Sequence, residues 1–250
     1  MPRLAKNDDM QSHRITGGGN FNFTAARVEK LGATEYTLAT IAVDTTGSTS
    51  AFAAELRKAV VAVVNACKKS PRANNLLVRV VEFNSTIPGN VREIHGFKAL
   101  KDIDPVAYPD FSPTGMTPLN DAAYSAFGAM KDYGKTLTDQ DFSVNGIGVL
   151  ITDGGENASM MSTQAVRDQI ETATKEEILE SLVTILVGIN ASSCRRELEG
   201  WQRETGIAQY VDAGDATSQK LAKLADFVSR SISSQSQALG TGGPSQQATF

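Results

Sequence analysis

Asp44, Thr46 and Ser48 set one carboxylate and two hydroxyls at alternate positions of the segment YTLATIAVDTTGSTS, residues 36–50. If the backbone stays partly extended, that spacing aims all three side chains at a common point, and Gly47 lets the chain turn tightly between them. All three are hard oxygen donors, which suit magnesium or manganese better than zinc. A plainer reading stays open at this stretch: Asp44 ends a strand, and Ser48, Thr49 or Ser50 caps the helix that follows.

Two later segments offer the same chemistry. Thr117 stands in SPTGMTPL, just ahead of a helical pattern, and Asp153 follows the apolar run GIGVLIT and precedes Gly154 and Gly155. The elements that must position these groups are legible in outline. Leu38, Ala39, Ile41, Ala42 and Val43 read as a strand buried on both faces, and Asp44 marks its end, where α/β proteins place their ligands. Phe52, Leu56, Ala59, Val63 and Ala66 recur at helical spacing over residues 51–69. Residues 76–83, LLVRVVEF, are strand-like and lead into a hairpin around Pro88-Gly89. An irregular loop from about 98 to 113 contains Pro105, Pro109 and Pro113. Leu119, Ala122, Ala126 and Met130 then mark a helix, with Pro118 in its first turn and Thr117 expected at its N-cap. Strands over 146–152, 182–189 and 207–211 alternate with helices carrying Val166, Ile170 and Ala173, then Trp201, then Leu221, Leu224, Val228 and Ile232. This rhythm predicts an α/β fold: a doubly wound, mostly parallel sheet flanked by helices on both faces. Loops leaving the carboxyl ends of its strands share one rim, so three distant segments can form one site.

With 250 residues, 41% of them hydrophobic, the chain can bury one large core. The expected layout is a flexible arm over 1–20, a single domain over 21–236 and a disordered Ser/Gln/Gly-rich tail over 237–250. No run of about 18 apolar residues occurs, and the charged N-terminal stretch does not resemble a secretion signal, so a soluble, cytoplasmic protein without a membrane partner is expected. A net charge of −4 speaks against nucleic acid as a partner. Cys67 and Cys194 lack paired spacing and read as free thiols. His13 and His95, the two histidines, read as surface or loop residues, remote from any candidate nucleophile.

Taken together, DxTxS at Asp44 to Ser48, the threonine of TGMTPL at Thr117 and TDG at Thr152 to Gly154 resemble a von Willebrand factor A (vWA) domain, over about Tyr36 to Ile232. The wording TPL and ITDGGENAS is more similar to intracellular bacterial or phage-borne members, including tellurite-resistance-type proteins, than to integrins. Thr46 stands where the family more commonly has serine and keeps the hydroxyl. The resemblance implies a Rossmann-like three-layer sandwich and a metal-ion-dependent adhesion site. In it Ser48, Thr46 and Thr117 offer hydroxyls to Mg²⁺, with Mn²⁺ or Ca²⁺ as alternatives, and Asp44 and Asp153 bind directly or through water. It implies a binding module and not an enzyme: the metal would accept a carboxylate from a protein partner presenting an Asp or Glu.

A second resemblance points elsewhere. DTTGST is similar to the nucleophile loop of haloacid-dehalogenase-like phosphotransferases, with Asp44 as phosphoryl acceptor, Asp153 holding Mg²⁺ and Thr46 binding phosphate. Against it, the later loop carries one aspartate, TGMTPL has no role there, no lysine is clearly placed to neutralise phosphate, and Glu156 reads as a solvated loop residue.

Overall fold

The computed structural model describes residues 9–243 and 248–250. Its strands are β1 (Met10–Arg14), β2 (Asn22–Ala26), β3 (Glu35–Asp44), β4 (Leu76–Phe83), β5 (Val91–Ala99), β6 (Ser143–Thr152), β7 (Leu182–Ile189) and β8 (Gln209–Gly214). Its helices are α1 (Ala53–Cys67), α2 (Leu119–Thr138), α3 (Thr163–Lys175), α4 (Arg195–Thr205) and α5 (Ser218–Thr241). All strands join one sheet in the order β1-β2-β5-β4-β3-β6-β7-β8. The run β4-β3-β6-β7-β8 is parallel, as the alternation of strands and helices requires.

β3 is central, and every residue from Tyr36 to Asp44 is buried. Its side chains divide by parity between two cores. Leu38 and Ala42 pack with residues of α2, α3 and α4, whereas Ala39, Ile41 and Val43 pack with residues of α1 and α5. The chain leaves β3 through α1 towards β4 on one side and returns through α2 to β6 on the other. The carboxyl ends of β3 and β6 therefore flank a topological switch point, the crevice where open α/β sheets bind ligands.

Several expectations are adjusted. The stretch expected as a flexible arm contains β1, which pairs antiparallel with β2 from Met10↔Ala26 to Arg14↔Asn22; residues 1–8 of that arm lie outside the described residues. Beyond β1, Thr16 is fastened to Asp132 of α2 through its N–H at 2.7 Å and its hydroxyl at 2.8 Å. The last helix, whose apolar stripe is legible to Ile232, runs on to Thr241, into the stretch expected as tail. Gln235 and Ser236 are buried there, and Asn145 Nδ2 of β6 donates to the Gln235 carbonyl at 2.8 Å. In the rest of the expected tail, Phe250 packs edge-on to Phe227 of α5, and residues 244–247 lie outside the described residues. Pro118, not Thr117, occupies the N-cap of α2, and no side chain caps that end. His95 is not a loop residue but is buried in β5, and His13 lies half-buried in β1, stacked on Phe23. Both cysteines are free.

The β1–β2 ribbon joins the rest of the sheet at one parallel register pair, Ala25↔Phe97. Gly96 makes that junction possible: a Cβ built there would stand 1.9 Å from the Thr24 carbonyl oxygen. Glu93 reinforces it, accepting from the Thr24 N–H and hydroxyl and from Arg79 Nε of β4. Among the described residues no helix is long and apolar enough to cross a membrane.

Candidate metal centre

β3 ends at Asp44, and the next residues fold into a 3-10 turn over Gly47–Ala51 that leads to α1 and first reaches solvent at Gly47 and Ser48. The turn brings the hydroxyls of Thr46 and Ser48 within 3.1 Å of each other, and Ser48 Oγ donates to Asp153 Oδ1 at 2.7 Å, across 105 residues of sequence. Asp44 lies beneath them with no exposure; its Oδ1 accepts from the Thr46 N–H at 2.8 Å and its Oδ2 from the Thr152 hydroxyl at 2.6 Å. Thr46 and Asp153 are buried, whereas Ser48 is exposed, so the cluster opens to solvent at Ser48.

Thr117 reaches the same crevice from the loop before α2. Its Oγ1 lies 3.3 Å from where a Cβ on Gly154 would sit, next to Asp153. Two pairs of bonds hold that loop in place. The Thr114 N–H donates to the Thr45 carbonyl at 3.0 Å and the Gly47 N–H to the Gly115 carbonyl at 3.2 Å, while the Thr117 N–H donates to Asn157 Oδ1 at 2.7 Å and the Asn157 N–H to the Thr117 carbonyl at 3.0 Å. Gly115 is needed here: its φ is +72°, and a Cβ would meet Ser85 Oγ at 2.7 Å. Thus Asp44, Thr46, Ser48, Thr117 and Asp153, from three separate segments, meet at one end of the sheet.

At Mg–O distances of about 2.1 Å, neighbouring ligands of an octahedron lie about 3 Å apart; the two hydrogen bonds at Ser48 Oγ, 3.1 and 2.7 Å, set oxygen pairs at separations of that order. Burial pushes the Asp44 carboxyl up to about 6, against the pull of its bonds from Thr152 and Thr46, and the neighbouring Asp153 charge adds to the rise. Burial also raises Asp153, partly offset by Ser48. No basic side chain among the described residues bonds to either carboxylate, so the two acidic groups share the crevice without a basic partner. Among the described residues no three His, Cys, Asp or Glu side chains converge as a metal-binding group; the cluster has two carboxylates and otherwise relies on hydroxyls.

Several supporting residues escape sequence reasoning. Thr152 was visible only as part of TDG, yet it buttresses Asp44. Asn157 was visible only as part of ITDGGENAS, yet it orients Thr117. Glu156, expected to be solvated, is half-buried and accepts from the N–H groups of Asn120, Ala158 and Ser159 and from the Ser159 hydroxyl, which shapes the loop after Asp153.

No family model matches the chain, and no curated protein matches it by sequence. Solved structures do match. The PilB minor pilin from Streptococcus sanguinis aligns with 91% of this chain and 68% of its own at 15% identity, TM-score 0.53. The pilus adhesin SpaC from Lactobacillus rhamnosus GG aligns with 92% of this chain and 35% of its own at 12% identity, TM-score 0.55. Proximal thread matrix protein 1 from the mussel byssus, in a structure described as having a zinc-occupied MIDAS motif, aligns with 80% of this chain and 46% of its own at 16% identity, TM-score 0.53. The chain therefore spans less than half the length of two of these three proteins. In its mixed, mostly parallel eight-stranded sheet and five helices, the chain has a vWA-like α/β fold, structurally similar to these vWA-domain proteins.

Proposed function

We propose that the chain is a metal-dependent protein-binding module in which Asp44, Thr46, Ser48, Thr117 and Asp153 hold one Mg²⁺ or Mn²⁺. The observation that carries this reading is the pair of buried carboxylates, Asp44 and Asp153, set among three hydroxyls with no basic partner. A divalent ion supplies the missing counter-charge and, held by neutral hydroxyls and water besides, stays electrophilic enough to take a carboxylate from outside. The protein's own part is to position. Asp44, locked by Thr46 and Thr152, sets the floor of the site; Ser48, the exposed member, stands at its mouth; Asn157 fixes Thr117 on the far side. A partner protein's Asp or Glu entering at Ser48 would complete the ligand set. The TPL and ITDGGENAS wording favours the intracellular bacterial or phage-borne branch for this function.

The phosphotransferase alternative draws no support from this geometry. Asp44 has no exposure, both its oxygens accept hydrogen bonds, and the carboxylate of Glu156 is engaged in holding its own loop. Titration calorimetry with Mn²⁺ tests the proposal. Saturable binding of one ion, lost in Asp44→Ala and in Asp153→Ala, is the expected result; equal affinity in these variants would overturn the assignment.

A further inference from the structure

Three large apolar side chains stand exposed among the described residues: Val106, Met116 and Met160, at 75%, 54% and 69%. Val106 belongs to a turn that Arg57 of α1 holds through the Val106 carbonyl. The two methionines flank the metal centre. Met116 immediately precedes Thr117, and Ser85 grips it from both sides: the Met116 N–H donates to Ser85 Oγ at 2.8 Å and the Ser85 N–H to the Met116 carbonyl at 3.0 Å. Met160 lies on the loop after Asp153, where the Asp121 carboxylate accepts from the N–H groups of Met160 at 3.0 Å and Met161 at 2.8 Å. Met161 packs against the core while Met160 points out. Hydrogen bonds at fixed backbone positions thus hold both methionines on display.

Basic charge is missing from the same rim. Segments 45–52, 84–90, 111–118 and 154–162 carry the metal-site hydroxyls or bond directly to the loops that do. In a chain that is 21% charged they contain one charged residue, Glu156, whose carboxylate is taken up by internal bonds, and the exposed Glu197 of α4 stands against Gly155. A further acidic partner group brought here would lose its water and meet only like charge, whereas methionine is flexible, polarizable and suited to apolar contact. Resting on the metal-site reading above, we infer that the partner carries its metal-seeking Asp or Glu between apolar side chains, which seat on Met116 and Met160, with no other acidic group inside the footprint. Met116 and Met160 are then the residues that select among carboxylates.

Selection from a random peptide library with one fixed Asp, on the full chain loaded with Mn²⁺, tests this. The expected result is enrichment of Leu, Ile, Phe or Met beside the Asp and depletion of further acidic residues. A selected peptide should bind the double variant Met116→Ser/Met160→Ser about tenfold more weakly, with Mn²⁺ affinity unchanged in calorimetry. Enrichment of acidic neighbours, no enrichment of apolar ones, or full affinity in the double variant would overturn the inference. Peptides that bind as well in EDTA, or with their Asp changed to Asn, yet still need the methionines would instead overturn the metal reading alone.

Discussion

The Thr152 hydroxyl lies 2.6 Å from Asp44 Oδ2, so the last residue of β6 supports the last residue of β3. The same hydroxyl lies 2.8 Å from the Gly154 carbonyl, to which it can turn its proton instead. That choice matters for what an amide could do in place of the carboxylate.

Asp44→Asn is expected to abolish Mn²⁺ binding and yet stabilise the metal-free protein. The amide nitrogen introduced by this substitution would donate to Thr152 Oγ1, whose proton would turn to Gly154, and the amide oxygen would still accept from Thr46. Asp44 titrates at about 6 folded against 3.8 as an ordinary carboxyl, so the folded state binds the extra proton and metal-free stability falls as pH rises from about 4 to 6. Above pH 6 the buried charge costs at most about 3 kcal/mol, and the amide removes it. Thermal melts at pH 7.5 in EDTA should place the variant above wild type, and saturating Mn²⁺ should reverse the order. A variant less stable than wild type in EDTA would show that the carboxylate is not the burden inferred.

Asn157→Ala is expected to weaken Mn²⁺ binding about tenfold without unfolding the protein. It removes the acceptor for the Thr117 N–H but leaves the reciprocal backbone bond in place. Asn157→Asp keeps an acceptor oxygen there and should retain most of the affinity. Calorimetry on the two variants distinguishes loss of orientation from general disruption, which would affect both.

His95 should make stability fall in mild acid. Its Nδ1–H donates to the Gly96 carbonyl at 2.9 Å, which leaves Nε2 to accept from the Tyr108 hydroxyl at 2.6 Å, a pairing that fits the neutral ring. Burial lowers its titration from 6.5 to about 4. Between those values the unfolded chain takes up a proton that the folded chain refuses, so stability declines as pH drops from about 6.5 to 4, by about 3 kcal/mol. Urea unfolding of wild type and His95→Gln across this range checks it: the variant should lack that component of the slope.

Glu93→Gln is expected to cost about 3 kcal/mol, because Arg79 is fully buried and would keep its charge without a counter-ion. Adding Arg79→Met should recover most of the loss. Additive effects in a double-mutant cycle by urea denaturation would contradict direct coupling between the two.

Much of this architecture was legible before any coordinates. β4 and β7 match the expected bounds, Leu76–Phe83 and Leu182–Ile189, because strands buried on both faces are written as unbroken apolar, β-branched runs. Asp44 and Asp153 stand out in the sequence because each follows such a run, and Thr117 because it precedes a helical pattern. What escaped depends on partners distant in sequence. β1, MQSHR, has no apolar pattern and is a strand because β2 offers it an edge. The helical stripe was legible only to Ile232, because Gln235 and Ser236 are polar; Gln235 is held by Asn145, Gly146 and Ser181, partners far away in sequence. Thr152 and Asn157 acquire their roles through the β3–β6 register and the pairing of two loops, neither of which local sequence encodes.

The single-pair junction between β2 and β5 bears on how the protein behaves at high concentration. Without the ribbon, the outer edge of β5, nine residues long, would present unpaired N–H and C=O groups to solvent, the template on which strands of other molecules add. Thr24–Glu93 and the contacts of Phe23 with Phe97 and Tyr133 keep that edge covered. The ribbon is thus a guard against polymerisation: a chain lacking residues 1–27 should keep its metal centre but elute as multimers in size-exclusion chromatography, and a Thr24→Pro variant should move in the same direction.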